Sequence, residues 1–563
     1  MVTPSEEEDH FLNSNNNNTM IHPEQDDNEK KLSSPSQETK RAVDVDEYLE
    51  YVGRFGRCQI LLLLLFCLII IPSTYQTLVM SFAGHNPSWR CVIQPNVTNA
   101  NSTSSSNDTD HCSVAGDISS KDDYYKARCQ MNRSLWEYAK DKDYSIVTEW
   151  DLVCEKKTLS YLANSAMFLG WAIGAVVLGW CADKYGRKKV LYPAWFALIL
   201  AAFISGFSHA LWLFIVLRVI IGFCQGGVGL CLFVMATELV GPSWRSFAGT
   251  SIWFAFTIAL CIIPVQAMYL KWKMLEILLS IPYIWLAGFY FVTPESVRWL
   301  RVKDRIDEAE AILKKVARVN KMQVPDDIRL SSPPKSPMGK KTTFIDLFRP
   351  SHIAISTAIQ CFAWFVCGQV YYGISLASDQ LGGDMYRDFV LTSLVEIPGN
   401  IILIYLTNKF GRKPTVIYSM LGSGLSCIAV AFIPNSGAAK WGRVSLGMLG
   451  KLGITISFNS IYIWSVELFP TIIRTQGMGL MIVVSRLGAA SAPWVAQYLN
   501  EVHDVLPFTV MGGLGVIASI VCFKLKETNG IPTAETMDGA ENNENVELKD
   551  FESSNGKSNA VCT

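Results

Sequence analysis

Three ionisable side chains interrupt apolar stretches in the second half of the chain. Glu396 stands in SLVEIPGN, Lys451 in MLGKLGITIS and Arg486 in VVSRLGAAS. A charge at the centre of a bilayer costs about 2.5–3.5 kcal/mol on insertion scales, so each needs a partner or a ligand. A fixed guanidinium favours a carboxylate, ideally through two parallel hydrogen bonds, and a carboxylate favours an ammonium group. Aromatic residues lie in a neighbouring apolar run: Trp364, Tyr371 and Tyr372. Trp364 and Tyr371 are seven residues apart and share a helix face. Aromatic faces attract quaternary ammonium groups, each contact contributing about 0.5–2 kcal/mol. Gln225, Gln369 and Asn459 add hydrogen-bonding groups within spans. One Arg and one Glu facing a common cavity suit a zwitterion, a quaternary amine that carries a carboxylate. The competing expectation is structural: Glu396 pairs with Arg486 or with Lys451, the aromatics pack, and the amides bond neighbouring helices. Pro398, two residues after Glu396, is expected to break its helix there.

Other chemistries find no residues. Half of the 563 residues are apolar and 18% are charged, with a net charge of -1 that suits no nucleic-acid partner. No Cys/His spacing fits a zinc site, so no metal is expected. No GxxxxGK[ST] loop provides for ATP, and no His/Ser/Asp cluster lies within the spans. The sequence therefore predicts neither an enzyme nor a cofactor.

The elements that must position these side chains are apolar runs of membrane-crossing length. Twelve are expected, with cores at 58–80, 160–182, 190–208, 212–235, 247–268, 276–293, 352–376, 387–407, 415–433, 443–466, 476–498 and 506–523. Solid apolar runs, rather than alternation, predict an all-α membrane protein. Two motifs recur at nearly one offset. GWCADKYGRKK (179–189) returns as IYLTNKFGRKP (404–414), and ELVGPSWR (238–245) returns as ELFPTIIR (467–474). Such duplication predicts two related six-helix halves, the usual build of a secondary transporter. Asp183, Gly186, Arg187, Lys188, Glu238, Arg245, Glu467 and Arg474 in these motifs are candidate gating residues on one side. Gly186 permits a tight reversal, and the basic residues sit at the level of anionic lipid.

Lys and Arg concentrate before the first span, in the two basic turns and at 298–341, which predicts that both termini are cytoplasmic. The expected layout is a disordered N-terminal arm (1–50), one half (51–293), a cytoplasmic helical linker (294–351), the second half (352–525) and a disordered tail (526–563). The polar, acidic first 45 residues predict no cleavable signal. Residues 302–321 carry an amphipathic pattern with Ile306, Ala309, Ile312, Leu313 and Val316 on one side. Ser332 and Ser336 each precede proline and are candidate phosphorylation sites.

One long loop, 83–157, lies on the opposite face. It holds Cys91, Cys112, Cys129 and Cys154, which suggest two disulfides in one of three connectivities. It also holds N-x-S/T sequons at Asn96, Asn101, Asn107 and Asn132, candidate glycosylation sites.

The basic turn resembles the signature of the major facilitator superfamily. TEWDLVC (148–154), ESVRWL (295–300), ELFPTIIRTQG (467–477) and the glycosylatable first loop are together similar to the solute carrier 22 family of organic cation, organic anion and carnitine transporters. Ile404 and Asn408 depart from the signature in the second turn. The resemblance implies a monomeric plasma-membrane transporter of small organic ions working by alternating access, with a possible coupling ion such as sodium. In that family cation-selective members carry Asp where this chain has Arg486, while anion and carnitine members carry Arg. Glu396 resembles an acidic position shared by cation and carnitine members, and Asn400 stands where anion transporters often have Lys. The resemblance makes organic cations or carnitine-like zwitterions the expected substrates. The alternatives are exchange of organic anions and a transport-inactive receptor.

Overall fold

Backbone polar groups in lipid must be satisfied within the chain, so the apolar runs fold as helices. The computed structural model describes residues 41–92, 128–129, 132–325, 327–332, 344–349, 351–434 and 437–530. Among them eleven helical spans are long and apolar enough to cross a membrane. These are α1 (Arg57–Ala83), α2 (Cys154–Tyr185), α3 (Arg187–Ser205), α4 (Leu211–Glu238), α5 (Pro242–Tyr269), α6 (Trp272–Phe291), α7 (Ser351–Leu376), α8 (Met385–Lys409), α9 (Arg412–Phe432), α10 (Ala439–Leu468) and α11 (Arg474–Val502). A shorter apolar helix, α12 (Leu506–Cys522), completes the expected twelve.

Close packing inside the first half depends on residues without side chains. Gly170 and Gly174 on α2 face Gly222 and Gly226 on α4. A Cβ on Gly174 would lie 1.9 Å from the Phe223 carbonyl oxygen, and one on Gly222 would lie 1.9 Å from that of Met167. The two backbones therefore touch, as in membrane pairs built on small residues four apart.

The helix around Glu396 is interrupted at Val395, about one turn before the expected break at Pro398. Its two pieces are Met385–Leu394 and Glu396–Lys409. Pro398 has no N–H to give the carbonyl four residues back, which is that of Leu394, so the ladder lapses there and not at the proline.

Ordered structure begins before residue 50, inside the expected disordered arm. Arg41–Val43 pairs in parallel with Ile328–Leu330, in the register Arg41 to Ile328, and Val45–Val52 is a helix. Val45, Tyr48, Leu49 and Val52 are buried in one core with Ile306, Ala309, Leu313 and Val316 of the linker helix Ile306–Asn320. Ile312 lies at the edge of that core. Asp44 caps the short helix by accepting from the Asp46 N–H. Burial works against its ionisation, but the Arg301 guanidinium and the backbone N–H groups of Asp46 and Val45 hold its carboxyl below the ordinary value. The tail boundary also moves, since Glu527 and Thr528 bond into the second half.

On the loop side, Trp89–Cys91 and Trp136–Tyr138 form an antiparallel pair. Cys129 is bonded to Cys154. Cys112, Asn96, Asn101 and Asn107 lie outside the described residues, and Cys91 is described only as strand backbone. Asn132 is exposed at the start of a short turn. Lys271 donates to Asp143 at 2.7 Å, and that hydrogen bond lowers the carboxyl's pKa. Of the two candidate serines in the linker, Ser332 is exposed and Ser336 lies outside the described residues.

Candidate functional site

At the basic-turn end each half is tied at its corner by one carboxylate. Gly186 has φ +114°, and Glu295 accepts from the Lys188 and Ser296 backbone N–H groups at 3.0 Å each. Gly411 has φ +96°, and Glu527 accepts from the N–H groups of Arg412 and Lys413 at 3.0 and 3.1 Å. Those of Lys188, Arg412 and Lys413 lie in the first turns of α3 and α9, where N–H groups have no partner inside their own helix and favour a negative charge. Neither glutamate was singled out by sequence. The signal available was a Glu following the sixth and the last apolar runs at nearly the repeat offset.

The expected gating residues fill out these corners. Asp183 pairs with Arg187 at 3.2 Å. Glu238 accepts from Ser296, and Arg245 pairs with Asp46. Glu467 accepts from Arg412 at 3.0 Å and from Thr528 at 2.5 Å. Arg474 donates to Thr471. None of these bonds joins one half to the other.

A Cβ at Gly186 would meet Glu295 Oε2 at 2.4 Å, in a backbone conformation that L side chains avoid. Gly186→Ala is expected to cost about 1–3 kcal/mol for a positive-φ backbone that only glycine adopts readily, plus the displaced carboxylate. The check is thermal unfolding of purified protein, where Gly186→Ala melts several degrees below wild type and Gly479→Ala, which meets nothing within 4 Å, does not.

Glu396, Lys451 and Arg486 separate into two groups. In the first, Glu396 Oε1 accepts from the Tyr371 hydroxyl at 2.7 Å and lies 3.1 Å from Lys451 Nζ. Thr257 of the first half donates to Glu396 Oε2 at 3.1 Å. In the second, Arg486 donates from Nη1 to the Tyr372 hydroxyl at 2.8 Å. Its guanidinium carbon lies 3.8 Å from the centre of the Trp171 ring, again from the first half. Arg486 Nε has no hydrogen-bond partner although it is buried, and no carboxylate among the described residues lies within ion-pair distance of it. Tyr371 and Tyr372 are sequence neighbours with ring centroids 5.1 Å apart. One serves each charge. Both halves therefore touch a pair of opposite charges held by adjacent tyrosines. Of the two structural pairings expected for Glu396, that with Lys451 is present and that with Arg486 is not.

The remaining candidates divide. Trp364 is fully buried, donates to Ser465 at 2.9 Å and packs on Tyr462 with centroids 4.3 Å apart. Phe458, unnoticed in the sequence, joins Trp364 to Tyr371. Gln225 bonds α1 instead, donating to the Ser73 carbonyl at 3.0 Å and to Thr77 at 2.5 Å. Gln369 is buried with neither amide atom paired. Asn459 donates to Asn400 at 2.7 Å.

A further charged cluster was also missed. Arg218 on α4 donates to the Gln76 carbonyl and side chain at 3.1 Å, and Gln76 donates to Glu276 on α6 at 2.7 Å. The rule that singled out Arg486, a charge inside an apolar run, applies equally to Arg218.

On the loop side, bonds cross between the halves. Lys157 and Tyr161 on α2 meet Glu501 on α11, the tyrosine at 2.6 Å. Trp494 donates to Ser165 at 3.0 Å, and Ser165 donates to the Ala490 carbonyl at 2.6 Å. Phe82 stacks on Tyr386 with centroids 5.7 Å apart.

Two helical halves with polar groups buried between them define a multi-pass membrane transporter of the major facilitator fold. The chain belongs to the sugar (and other) transporter family, whose model matches residues 97–538, and within it to the solute carrier 22 group. It is 30% identical over 525 residues to the organic cation transporter protein of Drosophila melanogaster, covering 88% of this chain and 94% of that one. It is 31% identical to organic cation/carnitine transporter 4 of Arabidopsis thaliana, covering 89% and 92%. Against organic cation/carnitine transporter 2 of Homo sapiens the identity is 28%, covering 88% and 93%. Among solved structures, the inward open xylose transporter XylE from E. coli aligns with a TM-score of 0.54 at 15% identity, covering 84% of this chain and 98% of that one. That likeness concerns the fold alone.

Proposed function

We propose that this transporter carries carnitine-like zwitterions, binding the carboxylate at Arg486 and the quaternary ammonium at Glu396 and the face of Tyr371. The observation that carries the proposal is the pair of adjacent tyrosines, one bonded to each charge. Two of the relatives are named as organic cation/carnitine transporters, which supports the same substrate class. Tyr372, Trp364 and Gln369 complete the surroundings, whereas Gln225 acts between helices. The basic corners face the cytoplasm, as do both termini, and the disulfide-bonded loop faces outward at the plasma membrane. The chain acts as a monomer in contact with lipid. Sodium is the first coupling ion to test, and the energy comes from ion or substrate gradients.

One observation favours a second substrate class. Lys451 offsets Glu396 and leaves Arg486 as an unbalanced positive charge, which suits an organic anion.

Uptake of radiolabelled carnitine, tetraethylammonium and para-aminohippurate by cells expressing the chain, with and without sodium, separates these. Saturable carnitine uptake exceeding that of both other compounds is the expected result. Uptake of the anion alone would replace the proposal with organic-anion exchange.

A further inference from the structure

The contacts of Lys451 are those a substrate ammonium would make. Its Nζ lies 3.3 Å from the centre of the Tyr371 ring and 3.1 Å from Glu396 Oε1. It also donates to Ser375 Oγ at 2.7 Å and to the Tyr371 carbonyl at 3.3 Å. The residue is 1% exposed. A small organic cation needs an aromatic face and a desolvated carboxylate together. Both are present here, and the lysine covers them. Glu396, Lys451 and Arg486 carry a formal charge of minus one, plus one and plus one. Among the described residues no other charged group lies within ion-pair distance of these three.

We infer that Lys451 is a tethered occupant of the cation half of the site, holding Glu396 and Tyr371 until a substrate ammonium displaces it. The inference rests on Glu396 and Tyr371 being where the substrate's ammonium binds. A side chain anchored on α10 competes at a high effective concentration, in the millimolar range for short tethers. A simple cation must displace it and gains nothing at Arg486. It also leaves three positive groups beside one carboxylate. A zwitterion brings its own carboxylate, which offsets the displaced lysine by pairing with Arg486. Ser375 and the Tyr371 carbonyl can retain the lysine ammonium after it leaves the carboxylate. Lys451 thus selects against cations that lack an acid group, a specificity role and not a strut between helices.

The test is equilibrium binding of tetraethylammonium and of carnitine to purified full-length protein. Wild type is compared with Lys451→Met, Lys451→Gln, the double variant Glu396→Gln/Lys451→Met and, in the carnitine arm, Arg486→Ala. The single variants are expected to bind tetraethylammonium at least about tenfold tighter than wild type, the size of one desolvated cation–aromatic contact. The double variant should lose that gain. Single variants that bind the cation no tighter than wild type, or a cation that binds no variant, would overturn the inference. An occupant is dispensable to the fold, so failure of both single variants to give monodisperse protein would also overturn it. The carnitine arm is separate: carnitine binding that does not depend on Arg486 would sink the zwitterion proposal and leave the tetraethylammonium comparison readable.

Discussion

Arg486→Ala lowers carnitine uptake by about two orders of magnitude at equal surface expression, the largest functional effect expected of any single change in this chain. Arg486 is 5% exposed, its guanidinium carbon lies 3.8 Å from the centre of the Trp171 ring, and it gives one N–H to Tyr372, while Nε has no partner. A buried donor without an acceptor costs about 1–3 kcal/mol, and in the proposed binding mode a substrate carboxylate removes that cost. Truncating one member of a buried charge pair removes about 2–5 kcal/mol, roughly 30- to several-thousand-fold in binding. Arg486→Lys recovers only part of it, because an ammonium cannot present the planar fork or stack as well on Trp171. Uptake with surface biotinylation as the expression control checks this. Undiminished carnitine transport in Arg486→Ala would move the carboxylate site elsewhere.

Gly222→Ala is the corresponding structural prediction. One methyl group would sit 1.9 Å from the Met167 carbonyl oxygen, a backbone atom that no rotamer change can move. Forcing α2 and α4 apart also separates Gly174 from Phe223 and Gly170 from Val219, whose carbonyl lies 2.3 Å from the position of a Gly170 Cβ. Overpacking costs about 1–3 kcal/mol where side chains can yield, and here backbone meets backbone, so the cost lies at or above that range. The fraction recovered as a monodisperse peak after detergent extraction should fall severalfold. Gly229→Ala is the control on the same helix. Its Cβ meets nothing within 4 Å, and replacing a helical glycine by alanine favours the helix by about 1 kcal/mol. Equal yields from the two variants would show that the α2–α4 contact is looser than described.

The helices were legible because lipid leaves an apolar run of that length few alternatives. Glu396, Lys451 and Arg486 were legible for the related reason that a charge in such a run is costly. Which charge meets which was not, because it depends on how each helix is rotated and how far it is shifted along its axis. Gln225 shows the limit: a polar residue in a span says that it has a partner, not whether the partner is ligand or helix. Glu295 and Glu527 escaped because each stands at a span end, where a carboxylate costs little and attracts no notice. Their role appears only once the N-termini of α3 and α9 arrive beside them. The strand Arg41–Val43 was hidden because its partner lies nearly three hundred residues away in an otherwise helical chain.

The carboxylate-tied corners have a mechanical consequence. Glu295 and Glu527 fasten the ends of each half to themselves, so a rocking motion meets two stiff levers rather than twelve independent rods. Strain then falls on the bonds that pin the levers together, among them Lys157 and Tyr161 against Glu501, Ser165 against Trp494 and Ala490, and Thr257 against Glu396. Those few bonds act as the latch. The turnover rate should answer to changes in the latch, and the endurance of the protein to changes in the corners.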